Sequence, residues 1–242
     1  MLRLEKEADP APMRYFSTSE CNWLTGEFAR FKDPNKYPKP LGRQAADKIR
    51  SDLLDIMKKN PAFGFALGVG FKDYRAVRRK STRNKKVLLP DPYEHIYTMM
   101  MIIIAGDLED EYKEGVFPAR ETVAYLCDEH DKSVNVKAVF EELKEKNPAC
   151  AQWMGSLSYM DNEESPALQA GDLLAGLCKD ELIAMVRKGS VRRVASETFR
   201  ARLGSAVRFR CFDQETLQQL VDANVLKRGK PRHLFHATVN FG

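Results

Sequence analysis

Apolar positions along this chain recur at two spacings, and each spacing predicts a different element. Leu41, Ala45, Ile49, Leu53 and Ile56 stand three or four residues apart, the period of a helix with one buried face, and Asn60-Pro61 stops it. Phe63 to Phe71 is apolar with glycine at positions 64, 68 and 70, which predicts a buried strand with a close neighbour. A short helix or turn begins at Asp73. Asp91-Pro92 opens a helix that carries the run Met99 to Ile104 and ends near Gly106.

The second half repeats the alternation. Glu121 to Asp128 predicts a strand, with Val123, Tyr125 and Cys127 set against Ala124 and Leu126. Val134 to Lys146 predicts a helix with Val136, Val139, Phe140 and Leu143 on one face, ended by Pro148. Trp153 to Met160 predicts a short strand, and Ser165-Pro166 is a start signal for a long helix reaching about Lys188. Positions 187–210 are basic and predict a short helix, and Asp213 to Asn224 predicts a last one. Strands alternating with helices make an α/β protein. The division expected is an irregular, proline-punctuated segment 1–40, an α/β domain 41–226 and a basic tail 227–242.

Composition narrows the class. With 43% hydrophobic and 30% charged residues among 242, a packed core is expected rather than disorder. Lys and Arg outnumber Asp and Glu by 39 to 34, a net +5 that permits a polyanionic partner without requiring one. The five cysteines are scattered and form no CxxC pair, which suits a reducing, cytoplasmic compartment. No apolar run reaches the roughly 20 residues a bilayer needs, so no membrane partner is expected.

Two carboxylates stand out. Asp128 emerges where an apolar strand ends, the end at which α/β sheets gather ligands. Its other reading is a turn or N-cap aspartate. Asp172 lies in the nearly all-apolar helix Leu168 to Gly176, where a charge needs a partner and where Gly171 and Gly176 suggest a close approach. Its other reading is an ion pair with an arginine. Paired inward carboxylates suit Mg²⁺ or Mn²⁺, which assist phosphoryl transfer. The densest charge cluster, Arg75, Arg78, Arg79, Lys80, Arg83, Lys85 and Lys86, could follow a phosphate backbone or form a solvated surface. His130, beside Asp128 and Glu129, is a ligand or a loop histidine.

Arg14-Tyr15-Phe16, Gly26-Glu27-Phe28, Phe71-Lys72-Asp73-Tyr74, Asp91-Pro92-Tyr93, Asp128-Glu129, and above all Leu168-Gln169-Ala170-Gly171-Asp172-Leu173-Leu174-Ala175 occur in an order that resembles the Domain of Unknown Function 3800 family, placed with the ribonuclease-H-like superfamily. The resemblance implies a ribonuclease-H-like mixed sheet flanked by helices. It implies that Asp128 and Asp172 are acidic metal ligands with Glu129 a helper, in a Mg- or Mn-dependent nuclease-like phosphodiesterase. The family opens with a strand bearing an Asp-Glu-Ser-Gly-like motif. Met1 to Pro12 carries none, so the N-terminal strand or strands are expected to be missing. The chain also departs at Ser17, where the family often has histidine, and at Gly171, where it often has alanine. The alternative expectation is a catalytically inactive relative that binds nucleic acid or protein.

Overall fold

The computed structural model describes residues 13–59, 64–83, 91–116, 119–129, 136–187, 199 and 207–222, with the side chains at 64, 81–83, 207, 208, 221 and 222 excepted. The chain forms two compact units, Met1–Pro61 with Asp161–Gly176, and Ala62–Met160 with Leu177–Gly242. The helix at 41–59 falls in the first of these units, with the residues before it. The expected basic tail lies outside the described residues.

The described part of the first unit is helical. Helix α1 (Thr18–Trp23) is followed by a 3-10 turn (Gly26–Lys32) and by α2 (Leu41–Lys59). Aromatic rings join these pieces: Phe16 meets Phe28 edge-on at 5.7 Å, and Phe31 meets Tyr37 at 5.1 Å. In α2 the buried positions are Gly42, Ala46 and Leu54, while Leu41 and Ile56 are exposed, so the buried line is rotated from the one periodicity suggests. The first half of a later helix completes this unit.

The second unit is mixed α/β. Strand β1 (Gly64–Val69) leads directly into α3 (Phe71–Arg83). Helix α4 (Pro92–Lys113) starts at an Asp91 side chain that accepts from the Tyr93 N–H. It runs seven residues past the expected stop at Gly106. Glu109 explains the extension, accepting from Trp153 Nε1 and Gln152 Nε2, each at 2.9 Å. Strand β2 (Val123–Asp128), α5 (Val136–Lys146), α6 (Pro148–Ala151) and β3 (Met154–Met160) form a parallel β–α–β unit. Pro148 begins the short α6 as well as ending α5, because the Asn147 side chain accepts from Cys150 N–H.

Helix α7 (Pro166–Arg187) contributes its first half to the first unit and its second half to the second. Strand β4 (Val207–Phe212) pairs parallel with β1, and α8 (Gln214–Asp222) follows. Among the described residues the strands make two separate parallel pairs, β1–β4 and β2–β3, where a single mixed sheet was expected. The strand at Val207 takes up the last positions of the basic stretch 187–210, which was expected to hold a short helix; positions 188–198 and 200–206 of that stretch lie outside the described residues. Its signal is the alternation Val207, Phe209, Cys211 against Arg208 and Arg210.

The core of this unit gathers Tyr74 and Val77 from α3, the Met99 to Ala105 stretch of α4, Phe140, Leu143, Trp153, and Phe212 and Leu217 near the end. His95 is fully buried among the rings of Tyr74 and Phe212. No described helix is long and apolar enough to cross a membrane.

Candidate functional site

Asp172 sits in the first unit, where its task is visible at atomic scale. Its carboxylate Oδ2 accepts the Thr18 backbone N–H at 2.7 Å, and the Thr18 hydroxyl donates to the Asp172 carbonyl at 3.0 Å. Thr18 is the first residue of α1, so the carboxylate takes one of the amides that a helix start leaves without an internal partner. Three residues earlier, Gln169 Oε1 accepts the Phe16 N–H at 2.9 Å, while Gln169 Nε2 donates to the Asn162 carbonyl at 3.1 Å. The two polar side chains of the Leu168 to Ala175 motif thus share one helix face and hold residues 16–18.

Gly176, one turn beyond Asp172, makes that seat possible: a Cβ there would overlap Thr18 Cγ2 and stand 2.9 Å from Thr18 Oγ1. At Gly171 a Cβ would meet nothing within 4 Å, so the close approach expected at both glycines occurs at Gly176 alone. Nor is α7 buried all round, since Gly171, Ala175, Lys179 and Asp180 are exposed. The partner found for Asp172 is a backbone amide, where an arginine was the structural expectation.

A second polar network lies in the same unit. Glu20 accepts from the Tyr15 hydroxyl at 2.8 Å and from the Glu27 N–H at 2.9 Å. Arg14 and Arg30 flank the Glu27 carboxylate at 2.9 and 2.8 Å, and the Arg14 hydrogen bond holds that carboxyl below its usual range. Burial, with the Glu20 hydrogen bond, pushes the Tyr15 phenol up to about 12. These contacts brace the α1 region by charge pairing within itself.

Asp128 and Glu129 belong to the second unit. Asp128 is the last residue of β2, half-buried, in register with Met160 of the parallel β3. The Glu129 N–H donates to the Met160 carbonyl at 3.1 Å, and its side chain is exposed. Adjacent residues at a strand end aim their side chains to opposite sides, so this pair does not converge on one point by itself. Asp172 falls in the other unit. Among the described residues no three His, Cys, Asp or Glu side chains are grouped together. His130 lies outside the described residues.

The basic cluster is organised by α3. The helix is continuous over Phe71–Arg83, longer than the short helix or turn expected from Asp73. Tyr74 and Val77 are buried, while Lys72, Arg75, Arg78, Arg79 and Lys80 are exposed. Positions 72, 75 and 79 follow one another at helical spacing, and 78 and 80 flank them, so one solvent-facing stripe carries five cations. The side chain of Arg83, and Lys85 and Lys86, lie outside the described residues.

The pattern alone conceals Phe71. Expected at the end of a buried strand, it instead opens α3 and is 51% exposed, with the Arg75 guanidinium 4.3 Å from its ring centroid. Gly70 is the signal: as the glycine between an apolar run and a charged helical stretch, it marks the strand-to-helix switch. Comparison of the chain with protein-family models, with curated proteins and with solved structures finds no match.

Proposed function

We propose that this chain binds a polyanion, nucleic acid in the first place, through the exposed stripe of α3. The observation that carries the reading is the division of that helix. Tyr74 and Val77 fix one face in the core, and Lys72, Arg75, Arg78, Arg79 and Lys80 occupy the other in solvent. Cations on a rigid, core-anchored element lose little freedom when they meet phosphates, and binding releases the counterions condensed there. Anisotropy of a labelled oligonucleotide, titrated between about 50 and 200 mM salt, tests it. Affinity should fall steeply with salt, and Arg75→Ala with Arg79→Ala should flatten the log–log slope by about 0.7 to 0.9 for each phosphate no longer neutralised. Salt-independent binding, or an unchanged slope in the double variant, would sink the proposal.

A second reading, a nuclease-like phosphodiesterase on a ribonuclease-H-like fold, keeps two supports. Asp128 ends a parallel strand at its carboxyl end, and β2–α5–β3 is a parallel β–α–β unit of the kind that fold uses. Its test is cleavage of single- and double-stranded oligonucleotides with Mg²⁺ or Mn²⁺, with Asp128→Asn as the control. Cleavage abolished in that variant favours it, and none in the wild type removes it. The buried cysteines Cys21, Cys150, Cys178 and Cys211, none in a disulfide, support a reducing, cytoplasmic setting.

A further inference from the structure

Phe71 gives the cationic stripe a chemical preference. It is the first residue of α3 and stays 51% exposed even with Arg75 stacked against its ring. A phenylalanine in water on a helix that has a core face available is not explained by packing. It stands four residues from Arg75 and eight from Arg79, so ring and cations share one side of the helix over about 12 Å at 1.5 Å per residue. Phosphates are neutralised by arginine and lysine, but an aromatic face is matched by a nucleobase face, and every base has one. In a duplex those faces are covered by neighbouring base pairs. In a single strand they are open.

We propose that the α3 stripe takes single-stranded nucleic acid, with one base stacked on the Phe71–Arg75 pair and the backbone running along Arg75, Arg79 and Lys80. This rests on the polyanion reading and adds strandedness to it. The charges supply attachment without regard to sequence, and the ring supplies the discrimination against duplex. Stacking and phosphate pairing both tolerate any base, so the preference is for unpaired strands of any sequence.

The test uses the full chain and three probes: a single-stranded 12-mer, the same sequence as a duplex, and a single strand with one 2-aminopurine, whose fluorescence falls on stacking. Phe71→Ala should weaken single-strand binding about tenfold, the scale of one base–aromatic stack, and leave duplex binding within about twofold. Phe71→Trp should restore both the affinity and the 2-aminopurine quench, a rescue that a purely structural role for the ring would not require. Position 71 is a partly exposed helix start, and thermal unfolding of each variant checks that the fold persists. If Phe71→Ala leaves single-strand affinity unchanged while Arg75→Ala with Arg79→Ala lowers it, the stacking inference is overturned and the polyanion reading stands. Equal weakening for duplex and single strand would overturn it too, in favour of a wedge that enters paired DNA. Binding of neither probe at low salt would overturn both readings.

Discussion

Asp172 and Arg75 stand on helices of similar design, each with one side in a core and one side in water, yet their charges are answered in different ways. The Asp172 carboxylate is answered from within the chain, by the Thr18 amide 2.7 Å away, and the Thr18 hydroxyl ties down the carbonyl of the same residue. Arg75 lies against an exposed ring in an exposed row of its own sign. A charge whose partner is the backbone of a neighbouring helix fixes architecture. A row of like charges in solvent repels itself, and a polyanion relieves that repulsion. The motif that most resembles a catalytic signature holds residues 16–18 in its own unit, while the basic stretch that the sequence leaves open between phosphate contact and solvated surface carries the proposed function.

The largest effect expected from breaking the comparison is on binding. Replacing Arg75, Arg79 and Lys80 together by alanine removes three partners for phosphate. At 0.1 M salt that should lower single-strand affinity by about 100-fold. Chemical denaturation should be nearly unchanged, since exposed helix positions rarely alter stability by more than about 0.5 kcal/mol. An equally large drop in stability would mean that the stripe is structural, and the contrast with Asp172 would collapse.

Asp172 should show the reverse. Asp172→Ala leaves the Thr18 amide without its acceptor and should destabilise the chain by about 1–2 kcal/mol, near the lower end for a hydrogen bond to a charged group because Asp172 is only half-buried. Asp172→Asn retains an acceptor and should lose about half as much. Neither should move the oligonucleotide affinity. An Asp172→Asn variant of full stability that no longer binds oligonucleotide would shift the functional reading back to the acidic residues.

Much of the scaffold is legible in the order of residues alone. Pro92, Ser165-Pro166 and Asn60-Pro61 mark helix ends through backbone chemistry that acts within one turn, and the helix limits at those points agree. Asp128 falls at the end of β2 as alternation predicts. What escapes depends on neighbours far along the chain. The clamp joins residues 154 positions apart, and no local period reveals that Thr18 sits on the Asp172 turn. Phe71 reads as strand because apolarity does not say where a strand becomes a helix. The pairing of the described strands into two parallel pairs is likewise a matter of crossover connections, which hydrophobic patterning does not encode.

The smallest effects sharpen the comparison at the scale of one methyl group. Gly171 and Gly176 lie in the same helix, and each lowers helix propensity by about 1 kcal/mol relative to alanine. Gly171→Ala places its new methyl in open space, so the propensity gain should appear as stabilisation of about 0.5–1 kcal/mol. Gly176→Ala drives a Cβ into Thr18 Cγ2 and to 2.9 Å from Thr18 Oγ1. Thr18 can escape only by turning about its Cα–Cβ bond or by backing away, and either movement weakens the bond to the Asp172 carbonyl. Overpacking of this kind costs about 1–3 kcal/mol, which outweighs the propensity gain, so the net change should be a destabilisation of about 1 kcal/mol. Combining Gly176→Ala with Thr18→Ser removes the clashing methyl while keeping the hydroxyl, and should recover most of that stability. Opposite signs at 171 and 176 in urea unfolding, with rescue at 18, would tie the tolerance of this helix to the seat of Thr18. Equal gains at both positions would mean that α1 does not press on α7 there, and that the clamp is looser than its 2.7 Å hydrogen bond implies.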